Sequence, residues 1–330
     1  MKAILVSHRG GPESLELREV ADPQPRADRN EVLIEVEAAG VNFADTLQTQ
    51  GTYPLGPRPP YIPGLEFAGK IAGTSQRVMG FTSTGSYAEK VAVSKTSLLP
   101  IPANWSAAQA AAFPVNYFTA YFGYWMAGMM PASPAPLPPA SGKKQKRVLI
   151  HAVAGGVGTA AVEIGALLGL EMFGTSSSEV KLQKVKMLGL QHGINYKEKD
   201  YENVVAELTK GEGVDAVFEM LGGEHTARST RCLADMGCLI VYGMATGQVP
   251  QYDFMAMFQK NLSTHALWLT PLASHKELMA QAWKQLSAWA EKGELKPVVG
   301  AELPLAKAVD AHRLLLERKN YGKVVLNVKS

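Results

Sequence analysis

The sequence predicts an α/β protein in which a β-rich domain is interrupted by an inserted domain built on a doubly wound parallel sheet. Three features of the chain lead to this fold class. Short β-rich runs separated by Gly and Pro fill the first part of the chain, whereas strand-like and helix-like segments alternate from Arg147 onward. The elements after Leu262 are too few to form a domain, so we expect them to rejoin the N-terminal β-rich part.

The N-terminal part is predicted to be a partly closed β domain. Its clearest strand-like runs are Ala3–Ser7, Val32–Ala38, Phe67–Ala72 and Tyr87–Val93. The stretch Trp105–Met130 that follows carries no charged residue and exceeds the roughly 20 residues that cross a bilayer. Because Pro114 and Asn116 interrupt it, we interpret it as two consecutive buried helices and expect no transmembrane segment.

The alternating central part is typical of a doubly wound sheet. Its predicted strands are Val148–His151, Glu171–Thr175, Val214–Glu219 and Cys238–Gly243. One predicted helix begins after Gly158, and two others cover Glu179–Leu188 and Glu224–Leu233. Two amphipathic segments and a strand follow, over Lys276–Lys292, Ala306–Arg318 and Lys323–Val328. We therefore predict a discontinuous domain over residues 1–120 and 263–330, and an inserted domain over 121–262 with a Pro-rich surface loop at 131–147.

Charge and cysteine content restrict the partners and the compartment. The 33 basic and 30 acidic side chains give a net charge of +3 without a basic stripe, so no nucleic acid partner is expected. Cys232 and Cys238 are the only cysteines, too few for a disulfide framework or a Cys-rich zinc site. Since Met1–His8 lacks the pattern of a secretory signal, we expect a cytoplasmic protein.

A glycine-rich turn between a buried strand and an apolar helix predicts a dinucleotide site. Glycines let the backbone approach a diphosphate, and the free N–H groups at the helix start favour an anion. The residues expected to contact the cofactor here are Ala154, Gly155, Gly156, Val157 and Gly158.

The end of the following strand favours NADPH over NADH. An NAD enzyme commonly has an acidic residue at this position, but this strand ends in Thr175, Ser176, Ser177 and Ser178, and no carboxylate occurs before Glu179. Hydroxyl groups followed by Lys181 suit a 2′-phosphate, which requires donors and positive charge. The alternative interpretation is that Lys181 is only a solvated helix residue.

Separated motifs occur along the chain in the order of a known family. They are AGVNFAD at 39–45, QGTYP at 50–54, PGLEFAG at 63–69, PVNYFTAY at 114–121, the glycine turn, EMLGG at 219–223, YGMA at 242–245 and GKVVL at 322–326. The chain thereby resembles the zinc-independent quinone oxidoreductases of the medium-chain dehydrogenase/reductase superfamily, which include zeta-crystallin, and most closely the branch of the vesicle amine transport protein homologue. The resemblance implies a GroES-like β-rich catalytic domain and an inserted Rossmann-type domain.

The resemblance also implies roles for individual residues. Asn42, Asp45 and Tyr53 would line the substrate and nicotinamide cleft, and Tyr53 matches a tyrosine that related enoyl reductases use as a proton donor. Two alternatives remain open, because Tyr53 could merely close a turn and Asp45 could cap the helix that begins there. The residues implied around the adenosine 2′-phosphate or elsewhere on the cofactor are Asn42, Thr119, Thr175, Ser176, Ser177, Lys181, Tyr196, Gly243, Arg318 and Lys323.

No catalytic metal is expected. Zinc-dependent members of the superfamily have a cysteine at the position of Asn42 and a histidine at that of Leu65, and neither Asn nor Leu replaces those ligands. Without a metal to polarise a carbonyl, a quinone or an activated alkene is the acceptor electrophilic enough to take hydride directly. We therefore predict an NADPH-dependent quinone oxidoreductase, with reduction of 2-alkenals or other enones as the alternative.

A hypothesis of another class is an NADPH-binding protein with a structural, lipid-interacting or RNA-interacting role and little turnover. The family resemblance further implies a homodimer. Its sheet would continue across a two-fold axis through Cys238–Gly243 and Leu262–Leu269.

Overall fold

The computed structural model describes residues 1–131 and 145–329, so most of the predicted Pro-rich loop at 131–147 lies outside the described residues. The chain forms two compact units, one made of Met1–Asn116 and Ala290–Ser330, the other of Tyr117–Trp289. The predicted fold class, a β-rich domain interrupted by a parallel α/β domain, is confirmed.

The elements follow the chain in three stretches. The first stretch contains β1 (Lys2–Val6), β2 (Leu15–Glu19), β3 (Glu31–Val41), α1 (Phe43–Gln50), β4 (Glu66–Ile71), β5 (Arg77–Phe81), β6 (Lys90–Ser94), β7 (Leu98–Pro100) and α2 (Ala107–Ala111). The second contains α3 (Pro114–Met126), β8 (Arg147–Ile150), α4 (Gly156–Leu167), β9 (Glu171–Ser176), α5 (Glu179–Lys186), β10 (His192–Asn195), α6 (Tyr201–Leu208), β11 (Val214–Glu219), α7 (Glu224–Arg231), β12 (Leu233–Val241), α8 (Phe254–Gln259), β13 (Ser263–Ala266), α9 (Leu269–Leu272) and α10 (Lys276–Glu291). The last contains β14 (Val299–Pro304), α11 (Ala308–Leu316) and β15 (Lys323–Asn327), and short 3-10 helices lie at Pro12–Ser14, Ala27–Arg29, Lys95–Ser97 and Leu305–Lys307.

The first unit is organised around the long strand β3. Its sheet has the strand order β14-β15-β3-β4-β5-β7, with β6 also paired to β3, and β1 and β2 form a separate antiparallel pair. Alternating residues of β3 such as Ile34 and Val36 are buried against Phe67 of β4 and Val324 of β15. Because Val324 pairs with Val41, the C-terminal strand brings Lys323 beside the residue that follows β3.

The second unit contains a six-stranded sheet in the order β10-β9-β8-β11-β12-β13, and every neighbouring pair is parallel. Its core includes Leu149, Phe173, Val217 and Leu239, one from each of four adjacent strands. In such a sheet the carboxyl ends of the strands lie at one edge, which is where ligands bind in doubly wound folds.

The second boundary of the insertion differs from the sequence-based one. Ser263 of β13 pairs with Cys238 of β12, so this strand completes the six-stranded sheet, and the unit extends to Trp289 instead of ending at residue 262. The predicted boundary at residue 262 separated β13 from this sheet, because β13 is a short, mostly exposed edge strand of polar composition. The first boundary lies at residues 116/117, within α3.

The uncharged stretch Trp105–Met130 forms the two consecutive helices α2 and α3, as predicted. Phe113 and Phe118 are fully buried, which explains the lack of charge. Within residues 1–131 and 145–329, no helix has the length and apolar character needed to cross a membrane.

Candidate active site

Asn42 occupies the turn at which β3 ends and α1 begins. Its backbone N–H donates a hydrogen bond to Asp45 Oδ2 at 2.8 Å, the arrangement of a helix capping box. The interpretation of Asp45 as a cap is therefore confirmed. Gly51 ends the helix in the left-handed region, with φ of 77°. The backbone of Asn42 is thus held by the first turn of the helix that follows it.

A buried polar cluster holds the side chain of Asn42. It consists of Asn42, Glu66, Asn116 and Lys323 and is called the Lys323 cluster below. The Lys323 ammonium forms an ion pair with Glu66 Oε1 and donates to Asn42 Oδ1 at 2.6 Å, while Asn42 Nδ2 donates to Glu66 Oε1 at 2.9 Å. Lys323 is 2% exposed and Glu66 is 0% exposed, so the two charges compensate each other away from water.

Glu66 also contacts the start of α3. Its second carboxylate oxygen accepts a hydrogen bond from the Val115 N–H at 2.8 Å. The neighbouring position in β3 is Gly40, where a Cβ would lie 2.5 Å from Glu66 Oε1 and 2.4 Å from the Ala111 carbonyl oxygen. Only glycine allows β3 to pass this close to the carboxylate and to α2.

Asp45 belongs to a second buried group with Tyr87 and His312. The Tyr87 hydroxyl donates to Asp45 Oδ2 at 2.8 Å and lies 3.4 Å from His312 Nε2. Burial raises the pKa of Asp45 to about 7, against the opposing effects of the Asn42 and Tyr87 hydrogen bonds. Burial lowers the pKa of His312 to about 4. Asp45 is 0% exposed, and its carboxyl group supports the turn at Asn42.

Tyr53 and Arg318 lie on exposed parts of the same unit. Tyr53 is half-buried in the loop after α1, and its backbone N–H donates to the Leu47 carbonyl at 3.2 Å. Arg318 follows α11, with an exposed side chain and a left-handed backbone (φ 54°). Its predicted contact with an adenosine 2′-phosphate stays a prediction.

The glycine-rich turn lies at the carboxyl end of β8, as predicted. Gly155 is the N-cap of α4, and its N–H donates to the Ala152 carbonyl at 2.8 Å. A Cβ on Gly158 would lie 2.5 Å from the Val153 carbonyl oxygen and 2.6 Å from that of Ala152. The first turn of α4 therefore packs directly on the turn backbone. The N–H groups and the dipole of a helix N-terminus favour a bound anion.

The predicted 2′-phosphate residues of the second unit are neighbours at the end of β9. Thr175 and Ser176 are the last residues of β9, Ser178 caps α5, and Lys181 lies in the first turn of α5. The Tyr196 N–H donates to the Ser176 carbonyl at 3.1 Å, so the Tyr196 segment lies alongside. Burial and the nearby Lys184 lower the pKa of Lys181, two penalties that an approaching anion would relieve.

The two remaining predicted cofactor residues also belong to the second unit. Thr119 is buried in α3, and Gly243 follows β12. A Cβ on Gly243 would lie 3.2 Å from Met220 Cβ, so the ends of β11 and β12 approach closely there.

Sequence reasoning assigned no role to Glu66, Tyr87, Asn116 or His312. Glu66 and Asn116 lay within the family motifs, and that was the one signal available for them. His312 lies outside every motif quoted above. Among the described residues, no group of three or more His, Cys, Asp or Glu side chains is placed to hold a metal ion.

Comparison with known proteins identifies the family. Residues 28–83 match the alcohol dehydrogenase GroES-like domain and residues 188–326 match a family described as zinc-binding dehydrogenase. Quinone oxidoreductase of Rattus norvegicus is 32% identical over 99% of this chain and 97% of its own length. The chain belongs to the quinone oxidoreductase family of the medium-chain dehydrogenase/reductase superfamily.

Two further proteins match this chain over their whole length or most of it. The synaptic vesicle membrane protein VAT-1 homolog of Danio rerio is 30% identical, over 99% of this chain and 70% of that protein. The quinone oxidoreductase of Thermus thermophilus, solved alone and with NADPH, has a TM-score of 0.85 and 35% identity, with 99% and 100% of the two chains covered. The predicted membership of this oxidoreductase family is confirmed.

Proposed function

We propose that this protein is an NADPH-dependent, metal-independent reductase that transfers hydride to a quinone. The observation that carries the proposal is the arrangement at the ends of β8 and β9. A turn that admits no side chain at Gly158 lies beside the hydroxyl residues Thr175–Ser178, with Lys181 following and no carboxylate among the four. The NADPH complex of the Thermus thermophilus relative supports the choice of cofactor.

Residues of the second unit would hold NADPH. The backbone N–H groups at the start of α4, from Ala154 to Gly158, suit the diphosphate. Ser176, Ser177, Lys181 and Tyr196 suit the 2′-phosphate, since they supply donors and one positive charge. Thr119 and Gly243 of this unit and Arg318 of the first unit are the other proposed cofactor contacts. Lys323, which is 2% exposed, is assigned a positioning role below.

The first unit would supply the groups that act on the substrate. Bound NADPH provides a hydride from its nicotinamide C4. Asn42 Nδ2 has two hydrogens, of which one is held by Glu66 and the other makes only a long contact of 3.4 Å with the Gly40 carbonyl. We assign that second hydrogen to orienting the substrate oxygen or the nicotinamide. The phenol of Tyr53 would donate a hydrogen bond or proton to the oxygen that gains negative charge.

Asp45 and Lys323 would act through Asn42. Asp45 fixes the backbone of Asn42, and Lys323 fixes its amide oxygen. Both are too buried to meet a substrate directly, so we propose them as positioning residues. A quinone already has an electrophilic carbon, so an oriented hydrogen-bond donor is the only activation that it needs. A quinone therefore fits this set of groups.

The substrate is tested by oxidation of NADPH, followed by its nicotinamide absorbance, against ortho-quinones, para-quinones and 2-alkenals. We expect quinone reduction with a preference for NADPH over NADH. Reduction of alkenals but not of quinones would show that the protein is an enone reductase instead. Tight NADPH binding without turnover on any acceptor would instead favour the binding-protein hypothesis.

We also propose that two copies associate through the β13 edge of the six-stranded sheet. β12 lies between β11 and β13, so Cys238–Gly243 cannot form the contact, and Leu262–Leu269, which contains β13, is left as the edge. The adjacent helix α8 exposes Phe254 and Phe258, each 70% exposed and stacked on each other. An apolar surface of this kind beside an edge strand fits a second copy of the same chain.

Sedimentation velocity at micromolar concentration tests this association. Wild type should sediment as a dimer, and Phe254→Ser/Phe258→Ser should sediment as a monomer. Leu55→Ser is the matched control, because Leu55 is 90% exposed in the other unit. A monomeric wild type would contradict the proposal.

A further inference from the structure

A chain of buried hydrogen bonds crosses the carboxyl ends of three adjacent strands in the second unit. His151 follows β8, Thr175 is the next-to-last residue of β9 and Glu219 is the last residue of β11, while Ser229 lies in α7. His151 Nδ1 lies 3.0 Å from Thr175 Oγ1. His151 Nε2 lies 2.9 Å from Ser229 Oγ. Ser229 Oγ in turn donates to Glu219 Oε2 at 2.5 Å. All four side chains are at most 2% exposed.

The other carboxylate oxygen of Glu219 reaches the turn after β11. Glu219 Oε1 accepts hydrogen bonds from the N–H groups of Leu221 at 2.6 Å and Gly222 at 3.0 Å. This series of hydrogen bonds therefore begins at the end of β9, the place proposed for the adenosine 2′-phosphate. It ends at the turn after β11, which is separated from β9 by β8 in the sheet.

The direction of each hydrogen bond follows from the inventory of protons. A carboxylate only accepts, so the single hydroxyl proton of Ser229 points to Glu219 and Ser229 must accept from His151 Nε2–H. Burial lowers the pKa of His151 against the opposing effect of the Glu219 carboxylate 3.6 Å away, which favours the neutral ring with that one proton. His151 Nδ1 is consequently an acceptor, and the Thr175 hydroxyl is its donor. The whole chain runs in one direction, from Thr175 to Glu219.

Packing fixes the ring of His151 in this orientation. The Tyr201 ring meets it edge-on, with centroids 5.0 Å apart. The Arg228 guanidinium covers Tyr201 at 4.4 Å from its centroid. A flip of the imidazole would exchange a nitrogen for a carbon at both Thr175 and Ser229, and both hydrogen bonds would be lost.

We propose that His151 is a positioning residue for the cofactor, which holds the Thr175 end of β9 and the Leu221–Gly222 turn in one fixed relation. A dinucleotide that contacts both places would then bind to a site already aligned. In the same series of hydrogen bonds, the only hydroxyl proton of Thr175 is donated to His151 Nδ1. Thr175 therefore gives no hydrogen bond to a 2′-phosphate, and selection for NADPH falls to Ser176, Ser177, Lys181 and Tyr196. This inference rests on the proposed NADPH-binding function.

The first test compares binding of NADPH with binding of 2′,5′-ADP, which carries the adenosine half alone, by calorimetry. His151→Phe keeps a ring and removes both hydrogen bonds. We expect about a tenfold loss of NADPH affinity and a much smaller loss for 2′,5′-ADP, since the smaller ligand does not need the β11 turn. His151→Gln, which retains one donor and one acceptor, should recover part of the loss.

The second test measures the ratio of kcat/KM for NADPH and NADH. Thr175→Val should lower the affinity for NADPH and NADH alike and leave this ratio unchanged. Ser177→Ala removes a proposed direct donor to the 2′-phosphate and should lower the ratio. A ratio that collapses in Thr175→Val would overturn the assignment of the hydroxyl proton.

Controls separate this inference from the proposed function. If His151→Phe fails to fold by circular dichroism, Ser229→Ala interrupts the same chain and should reproduce the loss specific to NADPH. Equal losses of affinity for NADPH and 2′,5′-ADP in every variant that interrupts this series of hydrogen bonds would overturn the positioning role. A wild type that binds neither ligand would contradict the proposed function, and this inference with it.

Discussion

The Lys323 ammonium donates a hydrogen bond to Asn42 Oδ1 at 2.6 Å, although 281 positions separate the two residues in the chain. The antiparallel pairing of β15 with β3 creates this contact, because Val324 lies opposite Val41. The ion pair of Lys323 with Glu66 completes the arrangement. The last strand of the chain thus determines how a candidate active-site amide is oriented.

Removal of Lys323 should destabilise the first unit strongly. Lys323→Met leaves the Glu66 carboxylate buried without its cation, which costs about 3–5 kcal/mol in comparable buried pairs. Urea unfolding of the purified variant measures the loss. The double variant Lys323→Met/Glu66→Gln removes both charges, keeps an acceptor for the Val115 N–H and should recover part of the loss. A single variant as stable as wild type would contradict the assignment of a buried ion pair.

Asp45 and His312 should affect the pH dependence of stability in opposite directions. The pKa of Asp45 is raised from 3.8 to about 7, so between these values the folded carboxyl retains a proton that the unfolded chain has lost, and stability falls as pH rises. The pKa of His312 is lowered from 6.5 to about 4, so in that range the unfolded imidazole binds a proton that the folded one lacks, and stability falls as pH falls.

The two effects nearly cancel in the wild type between about pH 4 and 6.5, since each changes the free energy of unfolding by up to about 1.4 kcal/mol per pH unit. Relative to wild type, His312→Gln should lose stability as pH rises through this range, and Asp45→Asn should gain it. Urea unfolding at several pH values gives the slopes. The double variant should regain the wild-type slope, and parallel curves for all four proteins would disprove the assignment.

Gly158→Ala should weaken cofactor binding by displacing the glycine-rich turn. The new Cβ would meet the Val153 and Ala152 carbonyl oxygens at 2.5 and 2.6 Å, so the turn or the helix start must move. We expect more than about a tenfold loss of NADPH affinity by calorimetry. Gly10→Ala is the control, because its nearest new contact is an ordinary 3.5 Å to Ser14 Cβ. Unchanged affinity in Gly158→Ala would show that the diphosphate lies elsewhere.

A carboxylate at the end of β9 should reverse the cofactor preference. Ser177→Asp introduces the acidic group that suits a ribose 2′-hydroxyl and repels a 2′-phosphate. The ratio of kcat/KM for NADPH and NADH should therefore fall in favour of NADH. Met187→Asp adds the same charge beyond α5, where Met187 is 88% exposed, and should leave the ratio nearly unchanged. Equal effects of the two substitutions would point to the overall field instead of a local contact.

Local features of the chain predicted most of the fold and the cofactor side of the candidate site. The glycine turn and the hydroxyl run after β9 are contiguous in sequence, so their structural context followed from the strand and helix patterns around them. The helix cap at Asp45 was predictable for the same reason, since Asn42 and Asp45 are three residues apart.

The features that escaped prediction depend on tertiary pairing. Glu66 and Lys323 meet only because β15 joins β3, and neither residue type signals its partner in the sequence. His151 appeared isolated, since its partners Thr175 and Ser229 come from a different strand and from a helix. β13 was assigned to the wrong domain because a short polar edge strand lacks the hydrophobic pattern that marks a buried one.

The most direct test of the central claim is NADPH oxidation with a quinone as acceptor, for wild type and Tyr53→Phe in parallel. We expect turnover that prefers NADPH over NADH, and a large loss of kcat in the variant with NADPH affinity unchanged. NADPH binding with no reduction of any quinone, or an equal preference for NADH, would contradict it.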